Sequence, residues 1–82
     1  MTSAQGYITH IEVGRFDETE KEYCLFTVED PKDERKSQWS TDGQAKTALL
    51  VAAATTHALV QVRGEPEEGV QRVVLHDVAL PL

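Results

Sequence analysis

Few side chains in this sequence stand where they could carry out covalent or metal chemistry. The three histidines, His10, His57 and His76, fall in three separate segments, without the close spacing that gathers zinc ligands. The single cysteine, Cys24, lies among Tyr23, Leu25 and Phe26. No basic neighbour in sequence is placed to lower its pKa, so it reads as a buried strand thiol and not as a nucleophile. Ser3, Ser37 and Ser40 belong to no nucleophile-elbow motif. Carboxylates are abundant, but general acid–base catalysis needs two of them in unlike environments, and no such pair stands out. The expectation is a protein with no enzymatic activity, no metal centre and no cofactor.

What the carboxylates do offer is a field. Fourteen Asp and Glu against eight Lys and Arg give a formal net charge of −6. A nucleic-acid partner needs the opposite balance, because Lys and Arg must replace the counterions on phosphates. Anionic membrane surfaces are disfavoured for the same reason. Two acidic segments concentrate the charge: Asp17, Glu18, Glu20 and Glu22, opposed mainly by Lys21, and Glu65, Glu67 and Glu68 around Pro66 and Gly69. Brought to one rim, they would form a docking surface for a basic protein partner. Kept apart, they are solvated loops that hold a small domain in solution. Arg63 and Arg72 flank the second segment, and its turn could set them side by side, with Glu65 and Glu67 bridging them in a local salt-bridge cluster.

Hydrophobic residues at 40% and charged residues at 27% fit one folded domain over residues 1–82. At this length the core is thin, so self-association into a homo-oligomer stays open as a source of further apolar contact. No apolar run approaches the roughly 20 residues of a spanning helix. The start, Met1-Thr2-Ser3-Ala4-Gln5, lacks the basic and apolar parts of a secretory signal, and the expected location is cytoplasmic.

The elements that would position these residues follow from periodicity. Residues 6–13 alternate as a strand, with Tyr7, Thr9, Ile11 and Val13 on one face and Ile8, His10 and Glu12 on the other. Residues 23–29 form a second strand with Cys24, Phe26 and Val28 as its apolar face, and Pro31 follows its end. A brief third strand at 37–40 carries Trp39. Thr41-Asp42-Gly43-Gln44 matches a capping box, with Thr41 as N-cap, and predicts a helix over 42–56. Ala45, Ala48, Leu49, Ala52 and Thr56 recur at helical spacing, widened by Leu50 and Ala53. Residues 59–64 and 70–80 read as two more strands joined by a turn. Val74, His76, Val78 and Leu80 share one face of the last strand, Val73 and Leu75 the other, so that strand is central or changes partners along its length.

The order β-β-β-α-β-β predicts a mainly β fold, a five-stranded OB-fold barrel whose helix plugs one end. The alternative is an α+β sandwich with one helix on an open antiparallel sheet. The run Trp39…Ala45-Lys46…Ala48-Leu49-Leu50…Ala52…Thr55…Leu59-Val60-Gln61-Val62, then Val74-Leu75…Val78-Ala79-Leu80, resembles the C-terminal half of bacterial OB-fold domains of the B-subunit type. That resemblance implies an Ala/Leu-rich helix ahead of the fourth strand and, as a second functional reading, carbohydrate binding in a ring-like assembly. The chain departs from secreted, disulfide-bonded members in its single cysteine. Ligands of OB-folds lie on the face of strands two and three, between the first and last strand-joining loops. The expected contact residues are therefore Asp17, Glu18, Glu20, Glu22, Glu65, Glu67 and Glu68, with Tyr7 and Trp39 as aromatic platforms. The function expected is that of a binding or adaptor module for another protein.

Overall fold

The computed structural model describes residues 1–15 and 22–81. Within them lie β1 (Thr2–Arg15), β2 (Glu22–Glu29), β3 (Lys36–Thr41), α1 (Gln44–Thr56), β4 (Val60–Pro66) and β5 (Val73–Ala79). The strands form one sheet closed into a ring in the order β1-β2-β3-β5-β4, with β4 returning to β1. An open sheet beneath the helix, the alternative topology, is thereby corrected. All pairings are antiparallel except β3 with β5, which is parallel and short, joining Trp39 to Val73 and Ser40 to Val74.

The ring closes because β1 serves two partners. Thr2 to Gly6 pair with β4, and Tyr7 to Arg15 pair with β2. Gly6 sits at the change-over, where a Cβ would run into the carbonyl oxygen of Glu29. Only glycine lets the two backbones come this close.

Inside the ring, Cys24, Phe26 and Val28 point inward as their alternation predicts, meeting Trp39, Val60, Val62 and Leu75. The Phe26 and Trp39 rings stack at 6.3 Å. The buried indole N–H of Trp39 donates to Ser37 Oγ at 2.7 Å, which removes the cost of enclosing a polar group.

Two strands break the simple alternation. In β1 the register with β2 shifts between Ile8 and His10, so Thr9 is a bulge. The extra residue reverses the side-chain phase: Ile8 is buried and Ile11 also packs on the core, although strict alternation puts them on opposite faces. In β5 the register with β4 steps from Asp77 to Leu75, leaving His76 as the bulge. Leu75 before it and Val78 after it both reach the core. Val73 and Leu75 on one side of the bulge and Val78 and Leu80 on the other thus make one inward face, while Val74 points outward.

The helix corrects two further expectations. It begins at Gln44, after Gly43, and no side chain caps it. Thr41 instead completes β3 opposite Cys24, and its hydroxyl accepts a hydrogen bond from Gly43 N–H at 3.2 Å, turning the chain toward the helix. The inward face carries Leu50 and Ala53, while Ala45, Ala48 and Ala52 are exposed. With Lys46 its only charged residue, the helix is apolar nearly all round, and polarity does not select its buried side. It packs chiefly on β1. His57 closes it in the left-handed region at φ 56°, with Ala58 N–H donating to Ala53 O at 2.9 Å in a Schellman turn.

Candidate binding groove

Leu25 and Ser40 are cross-strand partners on the outer side of β2 and β3, opposite in phase to the core residues Phe26 and Trp39. The connection between β4 and β5 comes back over this outer face. It is held by Glu67 N–H donating to Arg72 O at 2.8 Å, with Gly69 at φ 86° making the tight turn. Together they enclose a hollow of about 520 Å³ lined by Tyr23 and Leu25 of β2, Ser40 to Asp42 at the end of β3, and Glu67, Arg72 and Val74. A second hollow of about 290 Å³ continues from it, sharing Leu25 and Arg72 and reaching Gln38, Trp39, Val70 and Gln71. The result is a groove along the outside of β3.

Its chemistry is mixed. Val70 and Val74 are 45% and 40% exposed, apolar side chains without cover. The Tyr23 ring lies across Gly14, its partner on β1, and so forms a wall at the β1 side. Arg72 Nε approaches Glu67 Oε2 at 3.9 Å, an ion pair too long for a hydrogen bond. Farther along β3, Thr27 Oγ1 donates to Gln38 Oε1 at 3.2 Å.

A third hollow, about 580 Å³, lies on the outer side of β1, β4 and β5. Four of its polar side chains are matched in pairs: Gln61 Nε2 donates to Gln5 Oε1 at 2.9 Å, and Arg63 pairs with Asp77 at 2.8 Å, while Ser3 and Asp30 line it as well.

The expected site residues distribute as follows. Asp17, Glu18 and Glu20 lie outside the described residues. Glu22 is exposed beside Tyr23, and Glu65 and Glu68 are exposed near the β4–β5 turn. Glu67 lines the groove. Trp39 is fully enclosed in the core, so its ring offers no outer platform. Tyr7 stacks instead on His57 at 4.9 Å with the rings 7° from parallel, against the end of α1. The expected side-by-side pair of Arg63 and Arg72 does not form, because the register sets Arg63 opposite Asp77 and leaves Arg72 with Glu67. Leu25, Ser40, Asp42, Arg72 and Val74 were not foreseen as groove residues. Leu25 and Val74 did carry a signal, each being apolar and out of phase with the buried residues beside it.

Cys24 is completely buried on the inner side of the same wall. Burial pushes its thiol up from the ordinary value, and a side-chain hydrogen bond with Thr47 offsets part of that rise. The thiol is thus held protonated and away from solvent. Among the described residues, no group of His, Cys, Asp and Glu is gathered to hold a metal ion, and no helix is long and apolar enough to cross a membrane. No family model, curated protein or solved structure matches this sequence.

Proposed function

We propose that this chain is a small non-enzymatic binding module of the OB-fold type, recognising another protein through the acid-rimmed outer face of β2 and β3. The strand order β1-β2-β3-β5-β4, with β1 shared and the helix between β3 and β4, supports the fold reading. One observation carries the functional reading: the β4–β5 connection folds onto the outer face of β2 and β3, the ligand surface of OB-folds, and leaves apolar side chains there uncovered. Asp42 and Glu67 in the hollow, with Glu22 exposed next to Tyr23 and Glu65 and Glu68 exposed close to Glu67 in sequence, favour a partner with a basic surface.

A photo-cross-linking residue in place of Ser40 tests this against one in place of Gln61 on the other face. The expected result is capture of a basic protein from Ser40 alone, declining as salt screens the field. Equal capture from Gln61, or capture indifferent to salt, overturns the reading. Retention of the chain on a glycan array would favour carbohydrate binding instead.

A further inference from the structure

The two halves of β1 are held unequally. From Tyr7 to Arg15 the strand pairs with β2, sends Ile8 and Ile11 to the core and stacks Tyr7 on His57. From Thr2 to Gly6 it pairs with β4. Ala4 is the one side chain of this half packed against the core, and Ser3 and Gln5 are exposed. Among the described residues, Gln61 Nε2 donating to Gln5 Oε1 is the one side-chain hydrogen bond between this half and β4. Arg63, opposite Ser3, is taken by Asp77 of β5. Closure of the ring at β4 thus rests on a short backbone ladder, one amide contact and one methyl group.

Segments with few buried apolar contacts open locally at less cost than the whole fold. Gly6 gives such an opening its joint. It stands where the strand passes from β2 to β4, and glycine turns through backbone angles closed to other residues. What opening uncovers is the edge of β4, beside the fully buried Val60 and Val62. Unpaired backbone flanked by valines is a template for another strand. The occupant is specified by what β4 accepts in the closed ring: an uncharged segment with a small side chain opposite Val62 and an amide opposite Gln61. Thr2–Gly6 of a second copy meets each of these terms. Being uncharged, it adds no repulsion on approaching a chain of net charge −6.

We propose that Thr2–Gly6 is an exchangeable strand, which swings out about Gly6 and closes the ring of a second copy by pairing with that copy's β4. Two chains that trade this segment regain the contacts each has given up, so exchange costs little beyond bringing them together. Strand exchange leaves the groove outside β3 untouched and stands apart from the proposed contact face.

The test mixes isotope-labelled full chain with unlabelled Ser3→Cys carrying a nitroxide. Ser3 is exposed, and the buried Cys24 stays unlabelled. Exchange sets the nitroxide beside Arg63 of the labelled chain, since cross-strand partners stand about 5 Å apart. The Gln61 and Arg63 amides are then expected to lose about fivefold more signal than those of Leu25 and Ser40. Gly6→Ala is expected to raise the dimer fraction in sedimentation about threefold, because its methyl group meets the Glu29 carbonyl while the strand lies on its own ring. Unchanged amide shifts at Phe26 and Leu75 confirm that the variants stay folded. Oxidised Ser3→Cys/Arg63→Cys pins the strand to its own β4 and is expected to stay monomeric where the parent dimerises, with reduction restoring the dimer.

Broadening centred on Leu25 and Ser40 overturns strand exchange, as does a dimer that survives in the oxidised double variant, since both mean association through another surface. Unbroadened Arg63 in mixtures of both the parent and Gly6→Ala overturns it outright.

Discussion

The two outer faces of the ring differ in how much of their chemistry is already spent. On the side of β1, β4 and β5, Gln5 meets Gln61 and Arg63 meets Asp77, each within hydrogen-bonding distance. On the side of β2 and β3, Leu25, Val70 and Val74 interrupt the polar surface, and Arg72 is 3.9 Å from its nearest carboxylate. Matched polar side chains gain little from exchanging water for a partner. Uncovered apolar side chains beside loosely paired charges gain from both burial and pairing. The contrast arises in a single sheet and reflects both side-chain choice and the β4–β5 connection that folds back over one face.

The sharpest way to test that contrast is within one strand. Phe26 is 1% exposed and stacks on Trp39, and Phe26→Ala is expected to cost about 3–5 kcal/mol in chemical denaturation through the cavity it leaves. Leu25, its neighbour on the outer face, is partly exposed. Leu25→Ser is expected to cost less than about 1.5 kcal/mol, because only part of its surface leaves an apolar setting. Similar losses at the two positions would mean that Leu25 belongs to the core and that the groove has no free apolar floor.

A smaller effect tests what keeps the faces apart. Gly6 and Gly64 stand where neighbouring backbone crowds the space of a side chain, against Glu29 and Val74 respectively. Gly6→Ala is expected to destabilise by about 2–3 kcal/mol, since backbone must move to admit the methyl group. Gly14→Ala meets only the Tyr23 side chain, which can swing aside, and should cost less. Thermal melts of the two variants make the comparison, and a larger loss at Gly14 would contradict the close backbone approach assigned to Gly6 at the change-over of β1.

Much of this architecture was legible because its physics is local. Alternation in Cys24, Phe26 and Val28 gave the inner face of β2, and the order of elements placed the helix between the third and fourth strands. The bulges at Thr9 and His76 were not legible as such, since a residue inserted into a ladder is defined by a partner strand far away in sequence. Their trace was present: Ile8 with Ile11, and Leu75 with Val78, are apolar pairs at odd spacing in strands. The helix face was missed for a different reason, as a segment with one charged residue gives no polar side to read. Trp39 and Tyr7 looked alike as aromatic candidates, yet burial of one and stacking of the other on His57 depend wholly on tertiary packing. The groove itself depends on the β4–β5 connection meeting β2, which no local pattern encodes.

On the spent face, the expected consequence of change is small. The Arg63–Asp77 pair has both side chains more than half exposed, at 59% and 61%. Asp77→Asn should therefore lower stability by less than about 1 kcal/mol and leave partner binding at the groove unaltered. A change in groove binding would show that the two faces are coupled through β5, to which Asp77 and Val74 both belong.

Cys24 reports on the wall between core and groove with the smallest signal. Its thiol is raised from the ordinary value of 9.0 by burial, so the folded chain keeps the proton at pH values where the unfolded chain has lost it. Within that window the unfolded state binds fewer protons than the folded state, and stability falls as pH rises. The stabilisation is complete below the ordinary thiol pKa and fades toward the raised one. Denaturation midpoints of the parent chain and Cys24→Ala, compared across this alkaline range, should diverge in slope, the parent losing stability faster. Thr47→Val removes a hydrogen bond that opposes the rise and should steepen the parent slope. Identical slopes in parent and Cys24→Ala would mean that the thiol titrates alike in both states, and that water reaches the inner side of β2 from the groove.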